Sequence, residues 1–369
     1  MRATPSAAQR AILLQGIGLG LTGAVLWWLA RNTGASLAQR GLAIGFGFLR
    51  HPANFEIGDT WWIPFSPADS VGRAIVVGLL NTALVSALGC VLATAVGFVA
   101  GVLRLSPNPA LRGLVRAGVE IVRNTPLLLL LLFLAASLHA LPTPQHALTP
   151  IRGVFLSDRG LVLPAVAGGG WTVGLAAAAI AAYLVRRRLG AQGWLVAAAI
   201  AAAAVVSVIV RSPVVQPAHF TGFNFVGGVT LSPELAALLA ALVLHQAAHI
   251  SEVVRGAVLA VPRGQRDAAM ALGMSRFQSL RLVVMPVALR AMVPLLATNC
   301  VSLIKNSSLA VAIGFPDVVS VLNTAGNQTG HSIETMLIMI AVYLSLSLLV
   351  AAGLGRYNAH LLHTGTALS

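Results

Sequence analysis

Residues 252–286 read EVVRGAVLAVPRGQRDAAMALGMSRFQSLRLVVMP, a charged stretch in a chain that is otherwise 57% hydrophobic and only 9% charged. Ser275 is placed to cap a helix over Arg276 to Val284. Gly273 is placed to end a shorter helix before it, because glycine accepts the left-handed backbone that closes helices. The spacing predicts helix, sharp turn, helix, lying across the face of a membrane. The membrane follows from what flanks the stretch: the mean hydropathy of the whole chain is +0.86, whereas soluble domains are about 45–50% apolar and 25% charged.

Working outward, a spanning helix needs about 20 mostly apolar residues. The candidate runs are Ala11 to Ala30, Ala74 to Leu103, Val122 to Leu141, Leu161 to Val185, Gln192 to Val210, Leu231 to Val254, Ala288 to Gly314 and Ile333 to Leu354. The expectation is an all-α membrane protein of about eight transmembrane helices. Residues 1–70 then hold one helix and an outer loop with interfacial Trp61 and Trp62, residues 71–356 the main transmembrane domain, and residues 357–369 a cytoplasmic tail. The first run has Arg2 and Arg10 ahead of it and Ser36-Leu37-Ala38 after it, the outline of a signal peptide. Its length and its Trp27-Trp28 pair favour a retained anchor.

Basic residues accumulate in cytoplasmic loops. With the N-terminus inside, Arg2, Arg10, Arg104, Arg112, Arg116, Arg123, Arg186 to Arg188, Arg255, Arg263, Arg266, Arg276, Arg281, Arg290 and Arg356 all fall inside. Glu56, Asp59, Asp69, Asp158, Glu234, Asp317 and Glu334 then lie at or near the outer surface, and both termini are cytoplasmic. The net charge of +14 belongs to these loops, and without an aromatic-interleaved basic patch it does not point to nucleic acid. Cys90 and Cys300 sit in apolar runs and build neither a disulfide framework nor a zinc site. No Gly-x-x-x-x-Gly-Lys-Ser/Thr phosphate loop occurs, so the chain carries no nucleotide motif of its own.

Asp267-Ala268-Ala269, Gly273, Val283, Met285 and Pro286 fall on the spacing of the EAA motif of ABC-importer permeases, with Asp, Val and Met in place of Glu, Ile and Leu. Gly78-Leu-Leu-Asn81-Thr82, Arg123-Asn124-Thr125-Pro126, Pro262-Arg-Gly264-Gln265, Lys305-Asn306-Ser307-Ser308, Gly314-Phe-Pro316-Asp317 and Asn327-Gln328-Thr329-Gly330 are similar to signatures of the polar amino-acid uptake family. The last of these resembles the subgroup that transports general L-amino acids. The resemblance runs from about residue 72 to the C-terminus and is poor from 142 to about 230. It implies a type I permease core of five helices plus three extra ones, with residues 161–210 as an inserted pair and residues 256–286 as the coupling loop.

The resemblance also implies a bacterial inner-membrane complex. Its other members would be a second homologous permease in a heterodimer, two copies of an ATPase that alone binds ATP and Mg, and a periplasmic amino-acid-binding protein. The chain itself would be no enzyme and would bind no cofactor or metal; besides these protein partners it would meet membrane lipid and an amino-acid substrate, and no nucleic acid. Gly264, Gln265, Asp267, Ala268, Ala269, Gly273, Ser275 and Pro286 are its coupling residues on this reading.

A charge at the centre of a spanning helix costs at least ~2.5–3.5 kcal/mol, so polar residues there mark a path. The candidates are His245, Gln246, His249, Glu252, Asn299, Lys305, Asn306, Ser307 and Ser308. His245 and His249 share a helix face with Glu252 three residues on, a ligand-like geometry for zinc. Gln246 stands where a metalloprotease needs its glutamate base, which argues against hydrolysis. The rival reading from another class is an ion- or proton-coupled secondary transporter using Glu252 and the histidines as a relay.

Overall fold

The computed structural model describes residues 7–39, 45–151, 153–167, 214–216, 218–222 and 224–365. Its helices are α1 (Ala7–Gln39), α2 (Val71–Leu103), α3 (Pro109–Asn124), α4 (Leu127–His139), α5 (Pro233–Ala260), α6 (Arg263–Ala271), α7 (Arg276–Ser279), α8 (Met285–Asn306), α9 (Val318–Thr329) and α10 (Ser332–Gly365). Among the described residues, Val71–Leu103, Pro233–Ala260, Arg276–Ile313 and Ser332–Gly353 are long and apolar enough to cross a membrane, and the bent pair α3–α4 makes a fifth if counted as one span. The expected fifth run and most of the fourth lie outside the described residues.

α2 and α5 form the centre. On α2 the buried residues Gly89, Ala93, Gly97 and Gly101 recur every fourth position and make one smooth face. A Cβ on Gly97 would stand 2.7 Å from Ile250 Cβ and 2.8 Å from the Ala247 carbonyl oxygen, and one on Gly101 would stand 2.6 Å from Val254 Cβ. Contact this close is how helices associate in lipid, where packing rather than water exclusion drives them together. Leu131, Leu238, Leu242, Met292 and Leu303 fill in around the pair.

Several sequence expectations need correction. The expected span Val122 to Leu141 is not straight: α3 and α4 meet at 104°. Pro126 has no N–H to give a helix, and it holds Thr125 in an extended conformation at φ −90°, ψ 125°. α4 has 13 residues, a length of about 20 Å, short of the ~30 Å hydrocarbon layer.

The expected fourth span opens as strand instead of helix, so the chain is mainly, not wholly, helical. β1 (Leu148–Ile151), β2 (Val154–Ser157), β3 (Gly160–Leu163) and β8 (Val229–Leu231) make an antiparallel sheet in the order β1-β2-β3-β8. Pro164 interrupts the apolar run and Val162 and Val166 are β-branched, both against a helix. β4 (Ala165–Ala167) pairs with β5 (Val214–Gln216), setting Ala167 opposite Val214. β6 (His219–Thr221) pairs with β7 (Asn224–Val226). Leu231 accordingly ends β8, and α5 starts two residues later, where the Ser232 side chain accepts a hydrogen bond from the Leu235 N–H.

The second helix of the loop is also not separate. α7 passes through a π turn, Leu280–Val284, directly into α8, so residues Arg276–Ile313 form one continuous run. α10 runs on to Gly365, so most of the expected tail is helical.

Candidate coupling and translocation sites

The loop 261–285 is built from two caps. Gly273 adopts φ +78°, and its N–H donates to the Met270 carbonyl at 2.9 Å while the Met274 N–H donates to Ala269 at 3.2 Å. This is a Schellman closure of α6. Ser275 then opens α7 with a capping box: its hydroxyl accepts from the Gln278 N–H at 3.3 Å, and Gln278 Oε1 accepts from the Ser275 N–H at 2.8 Å. Gly264, Gln265, Asp267, Ala268, Gly273 and Ser275 are exposed, whereas Ala269 is buried against its own chain. Met270, Leu272 and Phe277 are exposed as well, Leu272 by 79%, an apolar rim on an otherwise charged loop. Pro286 follows the π turn inside the continuous run Arg276–Ile313, where its missing N–H removes a backbone bond that a straight α-helix would make. An Arg266 guanidinium N–H donates to the Val258 carbonyl and ties α6 back to α5.

The candidate path residues fall in four places. Gln246 Nε2 donates to Asn299 Oδ1 at 2.5 Å, joining α5 to α8. His245 and His249 pack edge to face, with ring centroids 4.8 Å apart. His245 Nδ1 is buried without a hydrogen-bond partner. Lys305 is exposed beside a groove of about 540 Å³ that Ser308, Tyr343 and Ser347 also line, while the hydroxyls of Ser307 and Ser308 donate to the Ile304 and Lys305 carbonyls. Asn306 is the last residue of α8. Glu252 is taken up by arginines: Oε1 accepts from Arg104 at 2.6 Å and Arg123 at 3.1 Å, and Oε2 from Arg255 at 3.0 Å. Among the described residues no group of three or more His, Cys, Asp and Glu side chains is placed to hold a metal ion.

At the other end of the bundle two distant sequence signatures meet. Asn81 of α2 donates to the carbonyls of Asp59 at 2.9 Å and Pro316 at 3.0 Å. Thr82 Oγ1 accepts from the Val318 N–H at 3.0 Å. A Cβ on Gly78 would stand 3.0 Å from the Asp317 carbonyl oxygen and 3.0 Å from Val318 Cα, so glycine lets this turn lie directly on α2 and a larger residue would push its backbone back. Asp317 caps α9 by accepting from the Ser320 N–H at 2.8 Å, and Tyr343 donates to its other oxygen at 3.3 Å. Burial pushes the Asp317 carboxyl up to about 6.

The family model described as "Binding-protein-dependent transport system inner membrane component" matches residues 93–362. The chain belongs to this family. The general L-amino acid transport system permease protein AapQ of Rhizobium johnstonii is 38% identical over 367 residues, covering 95% of this chain and 92% of that one. The glutamate/glutamine/aspartate/asparagine transport system permease protein BztB of Rhodobacter capsulatus is 34% identical over 396 residues, covering 95% and 93%.

For an inner-membrane transport component the two ends of the bundle differ in kind. One carries the exposed loop and the arginines around Glu252. The other carries a pocket of about 430 Å³ lined by Glu56, Asp59, Glu234 and Ser320 among others. Burial pushes the Asp59 carboxyl up, with Glu234 adding to the rise and the Ser232 hydroxyl opposing it. Sequence reasoning missed the part played by Arg104 and by the glycines before it. The recurrence of Gly97 and Gly101 at four-residue spacing, one turn ahead of a lone arginine, was the available signal.

Proposed function

We propose that this chain is the membrane-spanning permease subunit of an ATP-driven amino-acid importer, and that loop 256–286 couples it to a separate ATPase subunit. The exposed, doubly capped loop carries this reading. It is rigid enough to act as a lever, and it offers Ala268 with the apolar rim of Met270, Leu272 and Phe277 to a groove on a partner. Ala269, being buried, holds the loop to its own chain instead. ATP and Mg bind the partner ATPase, present in two copies. A homologous second permease completes a heterodimer, and a periplasmic amino-acid-binding protein delivers substrate. Amino-acid transport is supported by the names of the relatives AapQ and BztB.

The path is proposed to run past Gln246 and Asn299, the His245–His249 pair, and Lys305 to Ser308. Acceptors there meet an ammonium and donors meet a carboxylate. Both termini are cytoplasmic on this reading, and the Asp59–Glu234 pocket faces out. Closure of the ATPase pair drives the loop and rocks the membrane halves, a mainly rigid-body motion.

The test is uptake of labelled L-glutamate and ATPase activity of the reconstituted complex carrying Gly273→Val or Ala268→Leu. A β-branched residue at φ +78° is strained by about 1–2 kcal/mol. Membrane levels of the subunit should stay normal, with little uptake and with ATPase subunits either lost or hydrolysing without transport. Parent-like uptake from both variants would sink the coupling role.

A further inference from the structure

Glu252 lies eight residues before the end of α5 at Ala260, and α5 leads straight into the coupling loop. Its carboxylate binds three guanidinium groups from different places. Arg104, 5% exposed, ends α2; Arg123 stands at the 104° bend between α3 and α4; Arg255 is one turn on in α5 itself. Arg104 also donates to the Ser251 hydroxyl at 2.9 Å. The approach that permits this is the glycine contact one turn earlier, where a Cβ on Gly101 would meet the Ser251 carbonyl oxygen at 2.9 Å. Toward the loop, Arg266 of α6 holds the Val258 carbonyl of α5. Every step from α6 through α5 to α2 and the α3–α4 bend is thus a direct contact.

A carboxylate whose two oxygens accept from three arginines has little capacity left for an ammonium. We propose that Glu252 is a positioning residue rather than a substrate contact. On this reading it is the ion-pair latch that makes α2 and the α3–α4 bend move with α5 when the coupling loop is displaced. The latch rests on the coupling role given to the loop above. It differs from that role in residue and in consequence, because cutting it leaves the ATPase docked and able to turn over while the pore no longer follows.

The experiment compares Glu252→Gln, Arg123→Gln, Arg123→Lys and the double variant Glu252→Gln/Arg123→Gln in the whole complex reconstituted with its binding protein. L-Glutamate is the probe, and the readouts are uptake per ATP hydrolysed and KM for uptake. The ratio should fall about threefold to tenfold in Glu252→Gln and Arg123→Gln, the range expected when a coupling contact is cut. The double variant should lose no more than Glu252→Gln alone, and Arg123→Lys should restore most of the ratio. KM should stay within about twofold.

A parent ratio in Glu252→Gln overturns the latch, and so does a rise in KM with the ratio kept, which marks a substrate contact. Should Glu252→Gln fail to assemble, Arg123→Gln decides by the same two criteria, since it leaves Arg104 and Arg255 in place. Gly273→Val run alongside separates the two ideas. Uptake lost there, with parent behaviour in the latch variants, overturns the latch alone; parent behaviour in Gly273→Val overturns the loop reading.

Discussion

Asp317 shows how a single buried group sets a pH dependence. Its carboxyl is raised to about 6 by burial, an effect the N–H groups of Ser320 and Val319 and the Tyr343 hydroxyl only partly offset. The folded chain therefore holds this proton more tightly than the unfolded chain, in which an aspartate titrates near 4. Stability from this source is complete below about pH 4 and is lost as pH rises toward 6, a change on the order of 3 kcal/mol. Asp317→Asn keeps a capping side chain and removes the titration. Unfolding temperatures measured from pH 4 to 7 should fall less steeply for the variant than for the parent, and parallel curves would show that the carboxyl ionises without cost. Gly273 illustrates the opposite case, a residue legible from the string alone: a glycine two residues before a potential Ser-x-x-Gln cap in a polar interval is placed to take the left-handed backbone that ends a helix. The burial that perturbs Asp317 is not legible there, because it comes from Asn81, Thr82 and Tyr343, far away in sequence.

Among the elements, the α2–α5 contact depends on backbone proximity more than on large side chains. Gly97→Val should force the helices apart or strain them by about 1–3 kcal/mol, the usual cost of overpacking. Gly256→Ala is the matched control, because a Cβ on that helical glycine meets nothing within 4 Å and should be neutral or stabilising by up to about 1 kcal/mol. Yield of assembled complex and its unfolding temperature check both; equal behaviour of the two variants would mean that α2 and α5 do not pack as described. The bent pair is a second lesson at this scale. Leu127 to Leu132 reads as the heart of a span, but Pro126 cuts the helix ahead of it and turns Arg112, Arg116 and Arg123 onto a separate helix.

For the whole molecule, the start of α5 lies at the end of α4, where His139 Nε2 stands 3.4 Å from Glu234 Oε1, and so opposite the end that carries the coupling loop. Reporter fusions at Arg187 and Arg266 should read cytoplasmic, and fusions at Arg152 or Gln216 should read external. An external signal at Arg266 would place the coupling loop away from any ATPase and end the importer reading.

Three things were determined by sequence alone: the membrane class, the end of the bundle that carries the loop, and the helix–turn–helix form of that loop. Each depends on local composition or on caps a few residues apart, where hydrophobicity, arginine count and glycine conformation act without reference to distant chain. Tertiary structure alone decided that Leu161 to Leu163 extend as strand, that Ala269 faces inward, and that Glu252 belongs to Arg104, Arg123 and Arg255. An apolar run pairs as strand when neighbouring strands supply its hydrogen bonds, and an alanine turns inward when another helix covers it. A carboxylate in a spanning helix is stabilised by whichever cations the packing brings within reach. Here that partner is chosen by Gly97 and Gly101, which let α2 come close enough for Arg104 to arrive.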